Sequence, residues 1–461
     1  MNRIRPAAWL IAAVVLFLLA VAGYALLVHA SPQYYWTQID TAVYRDGGIA
    51  ARNQPAMLYA LGAAKLPFIY TPFAALLFAV ASGASFATWQ VGQAVLTIGL
   101  LPVVAYLSLG LAGRPAGLAR MAGAFAIAAV GLWLEPVAMT LFFGQINLVL
   151  LALVVGDLAL PDRIKGKGIG IGLAAGIKLT PLIFIPYLLF TRRVKAAAVS
   201  ALTFAVTVGL GFALLPHASA VYWGGEFARP GRHFHLDNQS LNGVILRLTH
   251  AGPDAHAYWL VAAVVVGIAG LATSILASRR GLELLGLVAC AATGLLVSPI
   301  SWSHHYVYVV PALVLAAYGP RRLGYRILGA ALVVGLFGWW PLPTGNQGGY
   351  DPKAQLMPRG LLPLAPNGDN SGAAVEFSWR GLELVAGNYY VLTLLAFIAA
   401  TACALVLTRR LRPERAQSAP EPDAVWAARP PLRDYIEALA GLPIRDDHVA
   451  GFIGRRLQFT G

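Results

Sequence analysis

A carboxylate, Asp40, follows the first long apolar run, in the stretch Tyr34-Tyr35-Trp36-Thr37-Gln38-Ile39-Asp40-Thr41-Ala42-Val43-Tyr44-Arg45. Placed among aromatic residues that suit a membrane–water boundary, it can meet a lipid headgroup and a sugar hydroxyl together and act as a general base. The plainer reading makes it a helix cap or a partner for Arg45. Asp46, beside Gly47 and Gly48, is the rival carboxylate. Lys178, in Gly176-Ile177-Lys178-Leu179-Thr180-Pro181, is the charge in an otherwise uncharged stretch. An ammonium there needs a partner, a polar cavity or an anion, and a phosphate would satisfy it, as would water or a carboxylate.

Three polar motifs accompany these charges. Gly144-Gln145-Ile146-Asn147 carries two amides where one apolar segment meets the next, suited to a sugar or to interhelical hydrogen bonds. The segment His233-Phe234-His235-Leu236-Asp237-Asn238-Gln239-Ser240-Leu241-Asn242-Gly243 sets neutral amides beside aromatic rings. That combination can satisfy sugar hydroxyls without burying charge, so Asn238, Gln239 and Asn242 are candidate sugar ligands. His233 and His235 have the spacing of a strand ligand pair but lack a cysteine or tight carboxylate cluster nearby, so no metal site is expected. Ser298-Pro299-Ile300-Ser301-Trp302-Ser303-His304-His305-Tyr306 interrupts an apolar run. Trp302 and Tyr306 suit interfacial anchoring, whereas a histidine at such a boundary can donate to phosphate oxygens or carry a proton.

The elements that must position these residues are membrane helices. The 461 residues are 58% hydrophobic and 12% charged, outside the range of soluble domains. Apolar stretches of about 20 residues recur, each able to cross about 30 Å of hydrocarbon as a helix. Barrel alternation is missing, so the fold class is an all-α integral membrane protein. Twelve membrane helices or partial spans are expected, near 7–28, 68–82, 87–111, 118–134, 145–160, 168–190, 196–215, 257–277, 282–297, 306–318, 326–340 and 389–407. The run after Arg3 and Arg5 exceeds a signal-peptide core and reads as a retained first span. Cys290 and Cys403 both sit in apolar runs, which argues against a disulfide framework.

The net charge of +14 comes from short basic clusters beside the apolar runs. Topology explains them, and no nucleic-acid partner is expected. Clusters at 114–120, 163–167, 192–195, 279–280, 321–326 and 409–415 read as cytoplasmic, placing loops at about 30–67, 217–256 and 341–388 outside. One conflict follows: the 163–167 and 192–195 clusters flank one stretch too short for two crossings. Its glycines and the prolines Pro181 and Pro186 predict a broken or hairpin element. The membrane domain is expected to span 1–409. The polar, proline-rich region 410–461 reads as a cytoplasmic tail, either disordered or with short amphipathic helices.

Taken in order, these motifs resemble glycosyltransferase family 87. The resemblance rests on Asp40-Thr41-Ala42-Val43-Tyr44, Tyr70-Thr71-Pro72, Gly144-Gln145-Ile146-Asn147, Lys178-Leu179-Thr180-Pro181, Asn238 to Gly243 and Ser298 to Trp302 with His304-His305. The family often has Tyr-Pro-Pro where this chain has Tyr70-Thr71-Pro72, a departure that touches packing. The resemblance implies a GT-C fold in the plasma membrane, with the active site on the outer face. It implies a polyprenyl-phosphate mannose donor, a phosphatidylinositol mannoside or related glycolipid acceptor, membrane lipids as surroundings, and no nucleotide sugar. It also carries the family's first-loop aspartate onto Asp40.

The expected chemistry is inverting α-1,2 transfer, with Asp40 as base and His304 or His305 stabilising the departing phosphate. Tyr44, Arg45, Gln145, Asn147, Lys178, Asn238, Gln239, Asn242 and Trp302 are the expected substrate ligands. Phosphate is a good leaving group, so neither a metal nor another cofactor is expected. Rival readings are a branching transferase for lipomannan or another GT-C sugar, a lipid or sugar transporter, and a noncatalytic scaffold. A transporter would be expected to bury coupling charges at midplane and to show repeated halves.

Overall fold

The computed structural model describes residues 6–30, 32–60, 66–226, 234–319, 322–339, 360–362 and 375–407. His233, the basic residues Arg3, Arg5, Arg321 and 409–415, most of the expected loop at 341–388 and the tail at 410–461 lie outside them. The chain divides after Leu405 into two units, and of the second only Val406 and Leu407 are described.

The described residues are built from helices. In order they are α1 (Pro6–Ala30), α2 (Pro32–Tyr35), α3 (Ile39–Asn53), α4 (Pro72–Ala81), α5 (Phe86–Leu111), α6 (Leu118–Gly131), α7 (Glu135–Phe143), α8 (Asn147–Ala159), α9 (Ile169–Ile177) and α10 (Phe184–Phe190). Then come α11 (Val194–Leu214), α12 (Pro216–Trp223), α13 (Leu241–Leu248), α14 (Ala255–Arg279), α15 (Glu283–Val297), α16 (Val309–Tyr318), α17 (Leu323–Phe337), α18 (Leu382–Gly387) and α19 (Tyr389–Leu407). Extended pairing among the described residues is confined to two isolated bridges, Leu134 with Gly338 and Asn238 with Trp302.

Among the described residues five helices, α1, α5, α11, α14 and α19, are long and apolar enough to cross a membrane. Their outward faces keep large apolar side chains exposed, among them Val261, Val264, Val265 and Ile268 of α14, as a lipid-facing surface requires. The chain is a multi-pass membrane protein. The other apolar helices are shorter. At about 1.5 Å per residue, the ten residues of α4 reach only about half the hydrocarbon thickness. Two further helices, α3 and α7, occupy stretches in which the sequence shows no membrane segment, and both carry or hold site residues.

The 168–190 stretch is a hairpin, as its glycines and prolines predict. Helix α9 ends at Ile177, Lys178 is extended, and a 3₁₀ turn at Thr180–Ile183 leads into α10. Both arms pack on α11. The arms are tied together at their open end: Asp162 pairs with Lys167 at 2.7 Å and with Arg193 at 3.3 Å. Arg193 also pairs with Glu283 at 2.5 Å. The two basic clusters therefore lie at one end of the fold, which removes the conflict in their alternation. Asp157 caps the inward arm, its carboxylate accepting from the backbone N–H of Gly168 at 2.6 Å and of Ile171 at 2.9 Å. Those N–H groups would otherwise be unpaired at a helix start, where negative charge is also favoured.

Single cysteines at Lys165 and Lys195, in a chain with Cys290→Ala and Cys403→Ala, should react with an impermeant maleimide from the same side of sealed vesicles. Labelling from opposite sides would mean that 168–190 crosses the membrane.

Candidate active site

Asp40 lies in the first turn of α3, and that turn is fastened to the end of α7. Gln38 donates its backbone N–H to Phe142 O at 2.8 Å and its side-chain amide to Leu141 O. Thr41 Oγ1 donates to Gln38 Oε1 at 2.8 Å and lies 3.2 Å from Gly144 O. Gly144 has φ +74°, and a Cβ there would fall 1.9 Å from Thr41 Oγ1 and 2.5 Å from Gln38 Oε1. Only glycine combines that backbone with that space.

One turn along α3, Tyr44 faces the same way as Asp40, as a spacing of four residues dictates. Gln145 joins them. Its Nε2 donates to Asp40 Oδ2 at 2.7 Å, while its Oε1 accepts from Tyr44 OH at 2.8 Å and from Tyr70 OH at 3.0 Å. The two phenols are 2.8 Å apart. With its oxygen occupied by hydroxyl donors, the amide must turn its NH2 to the carboxylate. Tyr70 belongs to the Tyr70-Thr71-Pro72 motif, whose Thr71 caps α4 by accepting from Ala74 N at 3.1 Å and also donates to Gly176 O. The same three residues thus start α4, meet Gln145 and hold the end of α9.

Lys178, at the hairpin tip, completes the cluster. Its Nζ lies 5.3 Å from the centre of the Tyr70 ring and 2.8 Å from His305 Nε2. An ammonium offers only donors, so Nε2 of His305 must accept, and the ring is neutral with its proton on Nδ1. Among the described residues that Nδ1 is buried without a partner, and so is Nε2 of His304. The two rings meet edge to face with centroids 4.8 Å apart. Asp40 is half-buried. Loss of hydration pushes its carboxyl up to about 6, against the lowering pull of the Gln145 hydrogen bond and of the Lys178 charge.

A small cavity of about 30 Å³ begins at Asn147, Lys178 and His305 and continues between Leu151, Phe184 and Leu295. That volume has room for water only, so a sugar would require neighbouring groups to move.

The remaining expected ligands are placed differently. Arg45 is turned away, with its Nε donating to Ala84 O at 3.0 Å. Asn147 donates to the backbone oxygen of His304 at 2.8 Å and so holds the histidine segment. Asn238, Gln239 and Asn242 are buried and act on backbone. Asn238 accepts from Ser301 N at 2.9 Å and donates to Pro299 O at 3.2 Å, and Asn242 donates to Pro299 O at 3.1 Å. Gln239 donates to Leu236 O and Gly387 O, both at 2.7 Å. Trp302 pairs through its backbone with Asn238. These four residues brace the segment before His304, and the amide hydrogen bonds named above run to backbone carbonyls and an N–H group.

Tyr70, Gln93 and Thr140 belong to the site although the sequence does not single them out as ligands. Gln93 donates to the backbone oxygen of Gln145, and Thr140 Oγ1 lies 3.2 Å from His304 O. The motif Tyr-Thr-Pro marks the segment and not the phenol of Tyr70; a glutamine or threonine in an apolar helix carries no signal.

The family model described as glycosyltransferase family 87 matches residues 68–299, which include Tyr70, Gln145 and Lys178 and stop short of Asp40, His304 and His305. The chain is 35% identical over 300 residues to a Mycobacterium tuberculosis protein named polyprenol-phosphate-mannose-dependent alpha-(1-2)-phosphatidylinositol mannoside mannosyltransferase, covering 60% of this chain and 68% of that one. It is 35% identical over 336 residues to a pentamannoside mannosyltransferase of the same species, covering 69% and 75%. A Mycolicibacterium smegmatis relative named for phosphatidylinositol mannoside is 34% identical over 340 residues, covering 66% and 76%. No solved structure matches the chain. A match across half of the sequence, joined to relatives covered over more than two thirds of their length, makes this chain a member of glycosyltransferase family 87.

Proposed function

We propose that the protein is a membrane mannosyltransferase that moves mannose from polyprenyl-phosphate mannose to a phosphatidylinositol mannoside, forming an α-1,2 linkage with inversion. The names of its relatives support donor, acceptor and linkage. The observation that carries the chemistry is the meeting of a carboxylate with raised affinity for protons and a half-buried ammonium across the Gln145–Tyr70 bridge.

In this mechanism the acceptor 2-hydroxyl approaches Asp40, whose Oδ2 is held by Gln145. The hydroxyl proton passes to the carboxylate as its oxygen bonds to the anomeric carbon. The bond from that carbon to phosphate breaks on the opposite face, and the phosphate leaves with the electron pair. Lys178 supplies positive charge where that negative charge grows, and His305 Nδ1–H is a neutral donor beside it.

The site is proposed to face outward. Helix α8 carries Asn147 at one end and Asp157 near the other, about 15 Å apart at the helical rise. The Asp157 end adjoins Lys167 and Arg193, and basic clusters mark the cytoplasmic side. Asn147 and its neighbours Gln145 and Asp40 then lie on the outer side of that end.

Asp40→Asn should lower transfer of radiolabelled mannose from the lipid donor by about 10²- to 10⁴-fold while the protein remains in the membrane; retained transfer rules out Asp40 as base, and a wild type that transfers no polyprenyl-linked sugar points to a carrier. The base must be ionised, so kcat/KM should decline as pH drops through about 6 and level off above it. A flat profile between about pH 5 and 7 would contradict the assignment. Lys178→Met should reduce kcat/KM for the donor by about 10²-fold, with the KM for acceptor nearly unchanged; an effect on acceptor alone would move Lys178 away from the phosphate.

A further inference from the structure

We infer that Arg247 and Asn388 are positioning residues for the phosphate-facing histidines, an inference that rests on the mannosyl-transfer reading. Arg247 closes α13 and is 1% exposed. Its Nε and Nη2 both donate to Asn388 Oδ1, at 3.0 and 2.6 Å. Its Nη1 lies 3.1 Å from Phe234 O, 3.0 Å from His235 O and 3.1 Å from Asn238 O. A rigid planar fork thus gathers three carbonyls of one turn and anchors them to the residue before α19. Gln239 reaches the same junction through Gly387 O.

The gathered turn in turn determines where the histidines sit. Ser303 N donates to Asp237 O at 3.1 Å, Gln239 N donates to Ser301 O at 2.7 Å, and Tyr306 OH donates to Gln239 O. His304 and His305 therefore lie between two fixed points, Ser303 and Tyr306, that both hang from the turn Arg247 holds. Two side chains outside the site could serve mere stability, but burial of a guanidinium is costly unless its donors are satisfied, and here they are spent on this turn and its anchor. Neither residue reaches Asp40, Gln145 or Lys178 through any of these bonds. Loss of the brace should therefore disturb leaving-group stabilisation and spare the base.

The purified full chain would be assayed in detergent with polyprenyl-phosphate mannose and a phosphatidylinositol mannoside. Asn388→Leu removes the shared acceptor and should lower kcat by about 10- to 100-fold, the effect of a small misplacement of a reacting group. The acceptor KM and the acid limb of the pH profile should stay as in wild type. Asn388→Asp keeps the acceptor atom and should restore kcat to within about threefold, since it preserves the bonds to the fork. Hydrogen exchange should rise at 299–305 in Asn388→Leu and stay unchanged at 39–45. Wild-type kcat in a folded Asn388→Leu protein would overturn the inference. So would equal losses in both variants, unchanged exchange at 299–305, or a shifted acid limb. If wild type itself transfers no mannose, the reaction reading fails, while the exchange comparison still decides whether Arg247 and Asn388 set the histidine segment.

Discussion

Gln145 has one end that donates and one that accepts, and the site depends on both being used. Its oxygen takes the phenols of Tyr44 and Tyr70, which obliges its nitrogen to meet Asp40. That single orientation joins α3, the start of α4 and the junction of α7 with α8. Near hydrocarbon no water is at hand to replace a lost partner, so polar side chains that approach the membrane must find one another. The same requirement explains Asp157 on the α9 N-terminus and Arg247 on its three carbonyls.

Much of this architecture was legible in residue types. Apolar run lengths disclosed a helical membrane protein, because hydrocarbon thickness imposes a length. The conflict between two basic clusters, together with the glycines and prolines between them, disclosed the hairpin. Asp40, Lys178 and His305 stood out because charge or a paired imidazole in such surroundings needs a reason. The helices α3 and α7 were not legible. Helix α3 combines polar residues with a glycine pair, and α7 opens on Glu135 and Pro136, which read as a break between two apolar runs.

Polarity without a partner was the main source of misplacement. The amides of Asn238, Gln239 and Asn242 have the composition of a sugar site, yet a backbone carbonyl satisfies an amide as well as a hydroxyl does. Composition records that a hydrogen bond will be made and is silent on the atom that will make it. Tyr70 shows the reverse case. Its neighbours Thr71 and Pro72 account for a helix start so well that nothing in the motif marks its phenol for Gln145.

The close approach at Gly144 has a consequence for how this protein tolerates change. Glycine has no side chain to offer a ligand, yet the smallest added carbon would collide with the two side chains that seat Asp40. In a survey of substitutions scored by turnover, Gly144 would look as sensitive as Asp40. Its intolerance is geometric, a matter of shape at a joint, and a variant there fails by misaligning an intact carboxylate.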